Sequence, residues 1–385
     1  MMTHYKMSDV AVEVNDRENN PASSKYDRFV GLEHYVSGEV IIRNYGSTEN
    51  LESTMKIFQS GDVLVARRNV YLKRASMVDF DGLTSGDSIV LRAKNPVIGR
   101  ILPFVLNTDA FWDFADQYSD GTMSKRLSPK TLMTYEFDLP DEDELEKFAD
   151  LLWAANDARE SYQALLRQTD ELVKSQFIEL FGDPILNEKG WPSKSIKESA
   201  VRLSDGPFGS NLKSEHYSET GVRVIRLQNI CEGYFLDDDK AYVSLEHYEK
   251  IKKYTCKSGE IIIGTLGEPN LRACIIPEYI GYAINKADCV HYIPNPEYLD
   301  TAFVVGFLNS PIVLNYALGD AHGNTRQRIS SGQISKMPII IPPMELQKQY
   351  AVIIQQTDKS KFEIKKAIEN TSVLIKSLMQ QDLTN

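Results

Sequence analysis

Cysteine is scarce in this sequence and unevenly placed. Four of its 385 residues are cysteine (Cys231, Cys256, Cys274 and Cys289), all lie in the second half, and none forms a CxxC pair. That pattern argues against a disulfide framework or a zinc site and fits reduced thiols in a cytosolic protein. Long apolar runs are missing as well. No stretch approaches the roughly 18 residues that cross a bilayer, and residues 1–16 have no apolar core flanked by basic residues, so the expected compartment is cytoplasmic. Positive charge is in deficit: Lys+Arg 43 against Asp+Glu 54 gives a formal net charge of −11. A sequence-blind nucleic-acid coat is disfavoured by this balance, but a binder with a local basic face is not. Part of the acidity has a structural explanation, because Asp138, Asp141, Glu142, Asp143, Glu144 and Glu146 surround one helix start, where the helix dipole favours carboxylates. Asp237, Asp238 and Asp239 form a second block, in a loop.

A catalytic constellation is also absent. The segment Asp205-Gly206-Pro207-Phe208-Gly209-Ser210-Asn211-Leu212-Lys213-Ser214 has the glycines and Lys-Ser of a phosphate loop but fails its spacing, since Asn211 stands where the second glycine belongs. It reads as a tight turn beside a binding surface. Asn295-Pro296-Glu297-Tyr298 is similar to the tetrapeptide with which amino-methyltransferases grip a flipped adenine. Glu297 replaces its second proline and no glycine-rich methyl-donor loop accompanies it, so a turn is expected. Pro140-Asp141 is not followed by the carboxylate and lysine of a nuclease core. The six histidines (His4, His34, His216, His247, His291, His322) are scattered, and no metal site or catalytic residue is assigned.

What the chain does contain is itself, twice. Thr169, Leu172, Val173, Lys174 and Ser175 match Thr371, Leu374, Ile375, Lys376 and Ser377 at a constant offset of 202 residues (371 − 169). The same shift carries Leu139-Pro140 onto Ile341-Pro342, Ala149 onto Ala351, and Gly121, Arg126 and Leu127 onto Gly323, Arg328 and Ile329. Upstream the offset falls to 198 at Gly61 and Gly259 (259 − 61), and to 195 at Leu32 and Leu227 (227 − 32). Persistent scaffold with drifting loop lengths is how a duplicated domain diverges.

Each half opens with short strands and loops. In the first, residues 26–33, 38–43, 62–66 and 88–92 read as strands between Gly, Asn and Asp. Helical periodicity follows at 108–115 and 301–317, then a basic loop (123–126 and 325–328), then a strand ending in proline (135–140 and 338–343). Each half closes with about 40 residues of helical period, 141–180 and 344–382, free of internal glycine and proline. In the second of these, Leu346, Tyr350, Ile353, Thr357, Ser360, Ile364, Ala367, Thr371, Leu374 and Leu378 form a heptad seam; in the first, Phe148, Leu151, Ala155, Ala158, Tyr162, Leu165, Thr169 and Leu172 keep the same rhythm. The expected fold is α/β (α+β): two tandem β-rich domains, each followed by a long helix, the helices pairing as an antiparallel coiled coil with pseudo-twofold symmetry. The expected boundaries are 1–139, 140–184, 185–341 and 342–385.

The candidate binding residues are polar and basic loop positions on the β scaffolds. In the first half these are Arg43, Arg67, Arg68, Asn69, Lys73, Arg74, Lys125 and Arg126. In the second they are Lys213, Arg223, Arg226, Arg272, Asn324, Arg326, Gln327 and Arg328. Arginine reads guanine and Asn or Gln reads adenine through paired hydrogen bonds in the major groove, while lysine meets phosphate. Singly, each is more often a solvated charge; the recurrence of a basic loop before the closing strand favours a shared role.

The sequence resembles the specificity subunit of type I restriction-modification systems. The resemblance spans essentially the whole chain. It is carried by Gln176-Phe177-Ile178-Glu179-Leu180-Phe181-Gly182-Asp183-Pro184, by Asp205-Gly206-Pro207-Phe208-Gly209-Ser210 leading into Val224-Ile225-Arg226-Leu227-Gln228-Asn229-Ile230, and by Ile339-Ile340-Ile341-Pro342-Pro343-Met344-Glu345-Leu346-Gln347. Phe29-Val30-Gly31-Leu32-Glu33-His34 and Ser85-Gly86-Asp87-Ser88-Ile89-Val90-Leu91-Arg92 are similar to the first-half signatures. The resemblance implies two target recognition domains reading a bipartite double-stranded DNA target, and two spacer helices that dock methyltransferase and restriction (motor-nuclease) subunits. S-adenosylmethionine, ATP and Mg would belong to those partners, and this chain would be no enzyme and bind no cofactor. The first half departs from the pattern in lacking the glycine turn of 205–210. Two alternatives stay open at this level: a protein-interaction scaffold without a DNA role, and a specificity subunit serving a fused methyltransferase-nuclease.

Overall fold

The computed structural model of the chain describes residues 2–121, 124–319 and 328–381. The two segments without glycine or proline form long helices, Glu142–Phe181 and Met344–Gln381, each roughly 60 Å at 1.5 Å per residue. The first has Glu142, Asp143 and Glu144 in its opening turn, where they oppose the dipole. It stops because Gly182 takes a positive φ of 77° and returns its N–H to the Ile178 carbonyl at 2.8 Å. The remaining terminal carbonyls are met by Lys189, whose Nζ donates to Glu179 O at 2.7 Å and Leu180 O at 2.9 Å, and by the Trp191 indole, which donates to Phe181 O at 2.9 Å. A helix end so supplied leaves few buried acceptors orphaned.

The chain divides into two compact units, Met1–Ala164 with Lys365–Asn385, and Leu165–Ile364. Each unit therefore holds part of both long helices. In the first, Leu145, Phe148, Ala149 and Leu152 share one core with Met379, Ile375 and Leu378. In the second, Phe177 packs edge-on against Tyr350 at 5.5 Å, Phe181 against Phe303 at 4.7 Å, and Lys361 pairs with Asp170. The start of one helix thus meets the end of the other in each unit, so the helices run antiparallel.

The heptad seam expected in the second helix is close to the buried face, with Tyr350, Thr357 and Ile364 buried. The seam expected in the first helix is met only in part: Phe148 and Ala155 are buried, but Leu151, Tyr162, Leu165 and Leu172 are exposed, and the buried face is completed by Leu145, Ala149, Leu152 and Asn156. The physical reason is that two apolar stripes coexist on that helix, and periodicity alone does not say which one the core takes.

Each unit contains three layers, and the burial explains the sequence. In the first unit a four-stranded antiparallel sheet joins Ala11–Val14, Ser88–Ala93, Val63–Ala66 and Ala75–Met77 in that order. Val63, Val65, Ile89 and Leu91 face the helices Pro96–Val105 and Asp109–Gln117. Leu64, Ala66 and Val90 face a second, five-stranded sheet through Val30 and Phe58. A strand buried on both faces reads as a continuous apolar run, which is why 62–66 and 259–264 lack alternation. The second unit repeats the order with Ala200–Ser204, Cys289–Pro294, Ile261–Gly264 and Ala273–Ile275. Its inter-sheet core contains Cys256, Cys274 and Cys289, so three of the four cysteines act as small apolar fillers. Burial pushes the Cys274 thiol up to about 12, and Cys256 and Cys289 further, which leaves them inert.

The five-stranded sheets match except at their edges. Arg28–Val30 pairs in parallel with Gly82–Thr84, as Val222–Ile225 does with Tyr282–Asn285. The first adds Arg17–Glu18 at one edge, and the second adds Tyr217–Ser218 at the other. This accounts for the missing glycine turn in the first half. Gly206 packs so closely that a Cβ would stand 2.2 Å from the Asn285 carbonyl oxygen, a contact only glycine permits. In the first half the corresponding chain runs on instead into Arg17–Glu18, pairing with Met55–Phe58.

Smaller expectations shift too. Residues 38–43 form no ladder beyond a bridge from Ile41 to Met77, since Gly38 has a φ of 77° and Glu39 and Arg43 turn toward the first long helix. The helix expected over 301–317 breaks into Thr301–Leu308 and Pro311–Leu318, because Pro311 has no N–H to continue the ladder. Among the described residues no single helix is long and apolar enough to cross a membrane.

Candidate nucleic-acid interface

The basic residues singled out in the sequence fall into three groups once folded. Arg74 and Arg272 brace backbone. Arg74 donates to the carbonyls of Leu32 (2.9 Å) and Arg68 (3.1 Å). Arg272 donates to those of Leu227 (3.0 Å), Leu266 (2.9 Å), Pro269 (2.8 Å) and Ile230 (2.6 Å). Both follow a non-glycine residue in the left-handed region, Lys73 at φ 47° and Leu271 at φ 58°. A backbone conformation that is unfavourable by about 1–3 kcal/mol persists where its surroundings over-determine it, and the two guanidinium braces do so. Arg67 acts through its backbone instead: its N–H donates to Asp87 O and its carbonyl accepts from Leu127 N–H, while its Nε is buried without a hydrogen-bond partner.

A second group is held in local ion pairs. Arg43 donates to Asp79 and Glu160, both at 3.0 Å. Burial presses its pKa down, but Glu160 and Asp79 outweigh that and hold it above its ordinary value. Lys73 meets Asp109 at 2.8 Å; this hydrogen bond, with Lys376 at 3.6 Å, holds the Asp109 carboxyl below its ordinary value. Arg223 is buried and donates to Asp237 Oδ1 and Asp239 O, both at 2.7 Å. Arg226 binds the Asp239 carboxylate through two nitrogens. The acidic run 237–239 is therefore a counter-charge for two buried or half-buried arginines. Lys213 lies 3.6 Å from Glu215 on a half-exposed loop.

The third group collects at the end of the four-stranded sheet. In the first unit Arg126 Nη2 donates to Asp87 Oδ1 at 2.9 Å, and Arg68 Nη1 lies 3.9 Å from the other oxygen. Ser124 Oγ accepts from Arg68 Nε at 3.4 Å and donates to Asn69 Oδ1 at 3.0 Å. The Asn69 N–H donates to Lys125 O at 2.9 Å, and Lys125 reaches Asp116 at 2.6 Å. Asn69 itself is left-handed at φ 57°, a conformation asparagine tolerates better than most residues. Beside it Tyr71 is 65% exposed at the tip of the loop.

In the second unit Arg328 Nη2 stands 3.2 Å from Asp288 Oδ1, and its guanidinium lies 5.6 Å from the exposed Phe208 ring. The backbone beneath is the same in both. Arg67 N–H donates to Asp87 O and Leu127 N–H to Arg67 O; Thr265 N–H donates to Asp288 O and Ile329 N–H to Thr265 O. Asn324, Arg326 and Gln327 lie outside the described residues. Asp87, Asp288, Ser124 and Tyr71 were not among the sequence candidates. The signal that reaches Asp87 and Asp288 is the repeat itself, since each immediately precedes the long strand of its sheet.

Chemically, both clusters offer a planar, half-exposed guanidinium held by one surface carboxylate, beside an amide or an aromatic ring. Surface ion pairs of this kind contribute about 0–1 kcal/mol, so a phosphate or base edge can replace the carboxylate. Among the described residues no group of three or more His, Cys, Asp or Glu is placed to hold a metal ion.

Comparison with known proteins agrees with this architecture. Residues 210–371 match the family model for the type I restriction modification DNA specificity domain. The chain is 21% identical over 338 residues to the type I restriction enzyme MjaIX specificity subunit of Methanocaldococcus jannaschii, covering 81% of this chain and 74% of that protein. Its fold is similar to the S subunit of a type I restriction-modification system from M. genitalium, with 14% identity, a TM-score of 0.55, and coverage of 99% and 96%. It is also similar to a chain from a type I R-M system studied for complex assembly and conformational transition, with 16% identity, a TM-score of 0.56, and coverage of 99% and 97%. Residues 210–371 thus carry a type I restriction modification DNA specificity domain, and with two β-rich domains and two long paired helices the chain has a fold similar to that of type I restriction-modification specificity subunits.

Proposed function

We propose that the chain reads a bipartite double-stranded DNA target, residues 1–139 contacting one half and residues 185–341 the other. Residues 140–184 and 342–385 act as the spacer that sets the distance between the half-sites. The observation that carries this reading is the duplicated arginine at the sheet end: Arg126 on Asp87 and Arg328 on Asp288, on the same backbone frame. Arg68, Asn69 and Lys125 extend the contact in the first half, and Phe208 in the second. Arg74, Arg272 and Arg223 contribute by shaping the loops.

The partners in this reading are methyltransferase and restriction subunits, which hold S-adenosylmethionine, ATP and Mg in the cytoplasm. The long helices present apolar side chains on which such partners can dock. Leu151 and Tyr162 in the first unit, Leu165, Leu172 and Phe362 in the second, are all exposed, and exposed apolar stripes on a helix mark interaction surfaces. Because the chain is acidic overall and most of the described candidate arginines and lysines already have a carboxylate partner, DNA affinity is expected to depend on the methyltransferase subunits.

Gel-shift titrations of the chain with and without those subunits, at low and moderate salt, test the reading. Affinity should fall steeply with salt, with a log–log slope of roughly −0.9 per phosphate contacted. A salt-independent complex, or none with the methyltransferase present, would overturn it. Exchange of residues 1–139 for those of a relative should then change one half of the methylated sequence and leave the other intact.

A further inference from the structure

Arg126 and Arg328 are not free to point where they will, and what restrains them is the same in both units. Asp87 and Asp288 each sit at the first turn before the long strand of the four-stranded sheet, Ser88–Ala93 or Cys289–Pro294. Each uses its backbone carbonyl to take the N–H of the residue that ends the neighbouring strand, Arg67 at 2.9 Å or Thr265 at 3.0 Å. That residue in turn takes the N–H of Leu127 or Ile329, the residue following the arginine, at 2.8 and 3.1 Å. The carboxylate and the arginine are thus anchored to one hydrogen-bonded backbone bridge from opposite sides. Their side chains then meet across it at 2.9 and 3.2 Å. Exposure matches too: 48% and 42% for the arginines, 29% and 31% for the aspartates.

The arrangement persists although the sequence around the two aspartates differs. Ser85-Gly86-Asp87 and Lys286-Ala287-Asp288 share only the aspartate, and Arg67 faces Thr265 at the bridge. Neither pair can contribute much to stability at such exposure. A guanidinium on a flexible stem loses rotamer freedom when it docks, and holding it beforehand lowers that loss. A carboxylate in the same place also repels a phosphate that approaches without delivering a matching base edge.

We infer that Asp87 and Asp288 are positioning residues for DNA recognition, each aiming the arginine of its own unit (Arg126, Arg328) and yielding it to DNA only when the correct half-site is presented. The inference rests on the DNA reading proposed above. It adds that base discrimination in each half depends on an acidic residue that touches no DNA donor of its own.

The test uses the full chain assembled with its methyltransferase subunits, with sequencing of modified bases across a host genome as the readout. Asp87→Asn keeps the shape and removes the charge. It is expected to relax discrimination at one half-site by roughly tenfold, the scale of one well-placed arginine contact, and to raise low-salt affinity for unrelated duplex by about a few-fold. Asp288→Asn should do the same to the other half-site alone. Asp87→Glu and Asp288→Glu, which restore the charge, should recover discrimination; a merely structural role gives no half-site selectivity and no rescue by charge. If Arg126→Ala and Arg328→Ala lose discrimination while both Asn variants methylate as the wild type does, the positioning role is overturned and the DNA reading stands. If the two Ala variants also methylate normally, these loops do not read DNA and both fall. Loss of both half-sites from Asp87→Asn alone likewise overturns the inference, because the effect must stay within one unit.

Discussion

The Arg272 guanidinium donates to the Leu227 carbonyl at 3.0 Å, and through that contact and three more it ties the tip of one hairpin to the neighbouring sheet. Arg74 makes the corresponding bond to Leu32 at 2.9 Å in the first unit. Both residues carry the charge of a DNA contact, yet their donors face protein.

Arg272→Lys should therefore be strongly destabilising. Lysine keeps the charge but has no planar fork, so several buried carbonyls lose their donors, and Gly267 and Leu271 lose the group that holds their left-handed turns. The expected loss is about 2–3 kcal/mol, as for other broken buried networks. Urea unfolding compared with that of Lys213→Ala, an exposed lysine, measures it; equal midpoints would refute the bracing role.

Gln347 gives a second case. Fully buried at the head of the second long helix, it accepts from the Asp300 N–H at 2.8 Å and donates to Tyr298 O at 2.9 Å and Pro342 O at 2.8 Å. Gln347→Leu preserves volume and leaves those groups unpaired. A loss of about 2–4 kcal/mol is expected, with earlier proteolysis near residues 298–300. Unchanged protease resistance would count against it.

Acid should weaken the second unit through His291. Its ring is fully buried, with Nε2 2.7 Å from Glu260 Oε2 and Nδ1 unpartnered. Burial holds its pKa below the ordinary 6.5; the Glu260 carboxylate pulls it back up and Arg202 pushes it down. Between that depressed value and 6.5 the unfolded chain binds a proton that the native one resists, so stability rises with pH through this window and falls on acidification. His291→Asn should flatten the melting temperature between about pH 7 and pH 5.5. An unaltered slope in that variant assigns the pH dependence elsewhere.

The spacer role makes a length prediction. Glu39 accepts from Arg159 at 3.4 Å and from Gln163 at 3.2 Å, so the first long helix is clamped to its unit as far as Gln163. Seven residues inserted just after Gln163, with seven after Ile364 in the antiparallel helix, add about two turns and roughly 10 Å. The methylated half-sites should stay unchanged and move apart by about three base pairs. An active insertion variant with the original gap would refute the ruler.

Much of this protein was legible in the repeat. Residues 141–180 and 344–382 were readable as long helices because neither contains a breaker, and the apolar runs that follow Asp62 and Glu260 as buried strands. The site was less legible. Arg74 and Arg126 look alike as loop arginines, and only the fold shows one among carbonyls and the other at the sheet end. The first helix likewise carries two apolar stripes, and the exposed one, Leu151 to Leu172, has the cleaner heptad rhythm.

Local chemistry, then, determined the elements and their duplication by itself, since helix breakers, apolar period and turn residues act over a few neighbours. Which arginines are braces and which are held ready beside Asp87 and Asp288 was decided by tertiary structure alone. A guanidinium binds whichever acceptor the fold brings within 3 Å, and the acceptors here come from 39 residues away for Arg126 and up to 45 for Arg272.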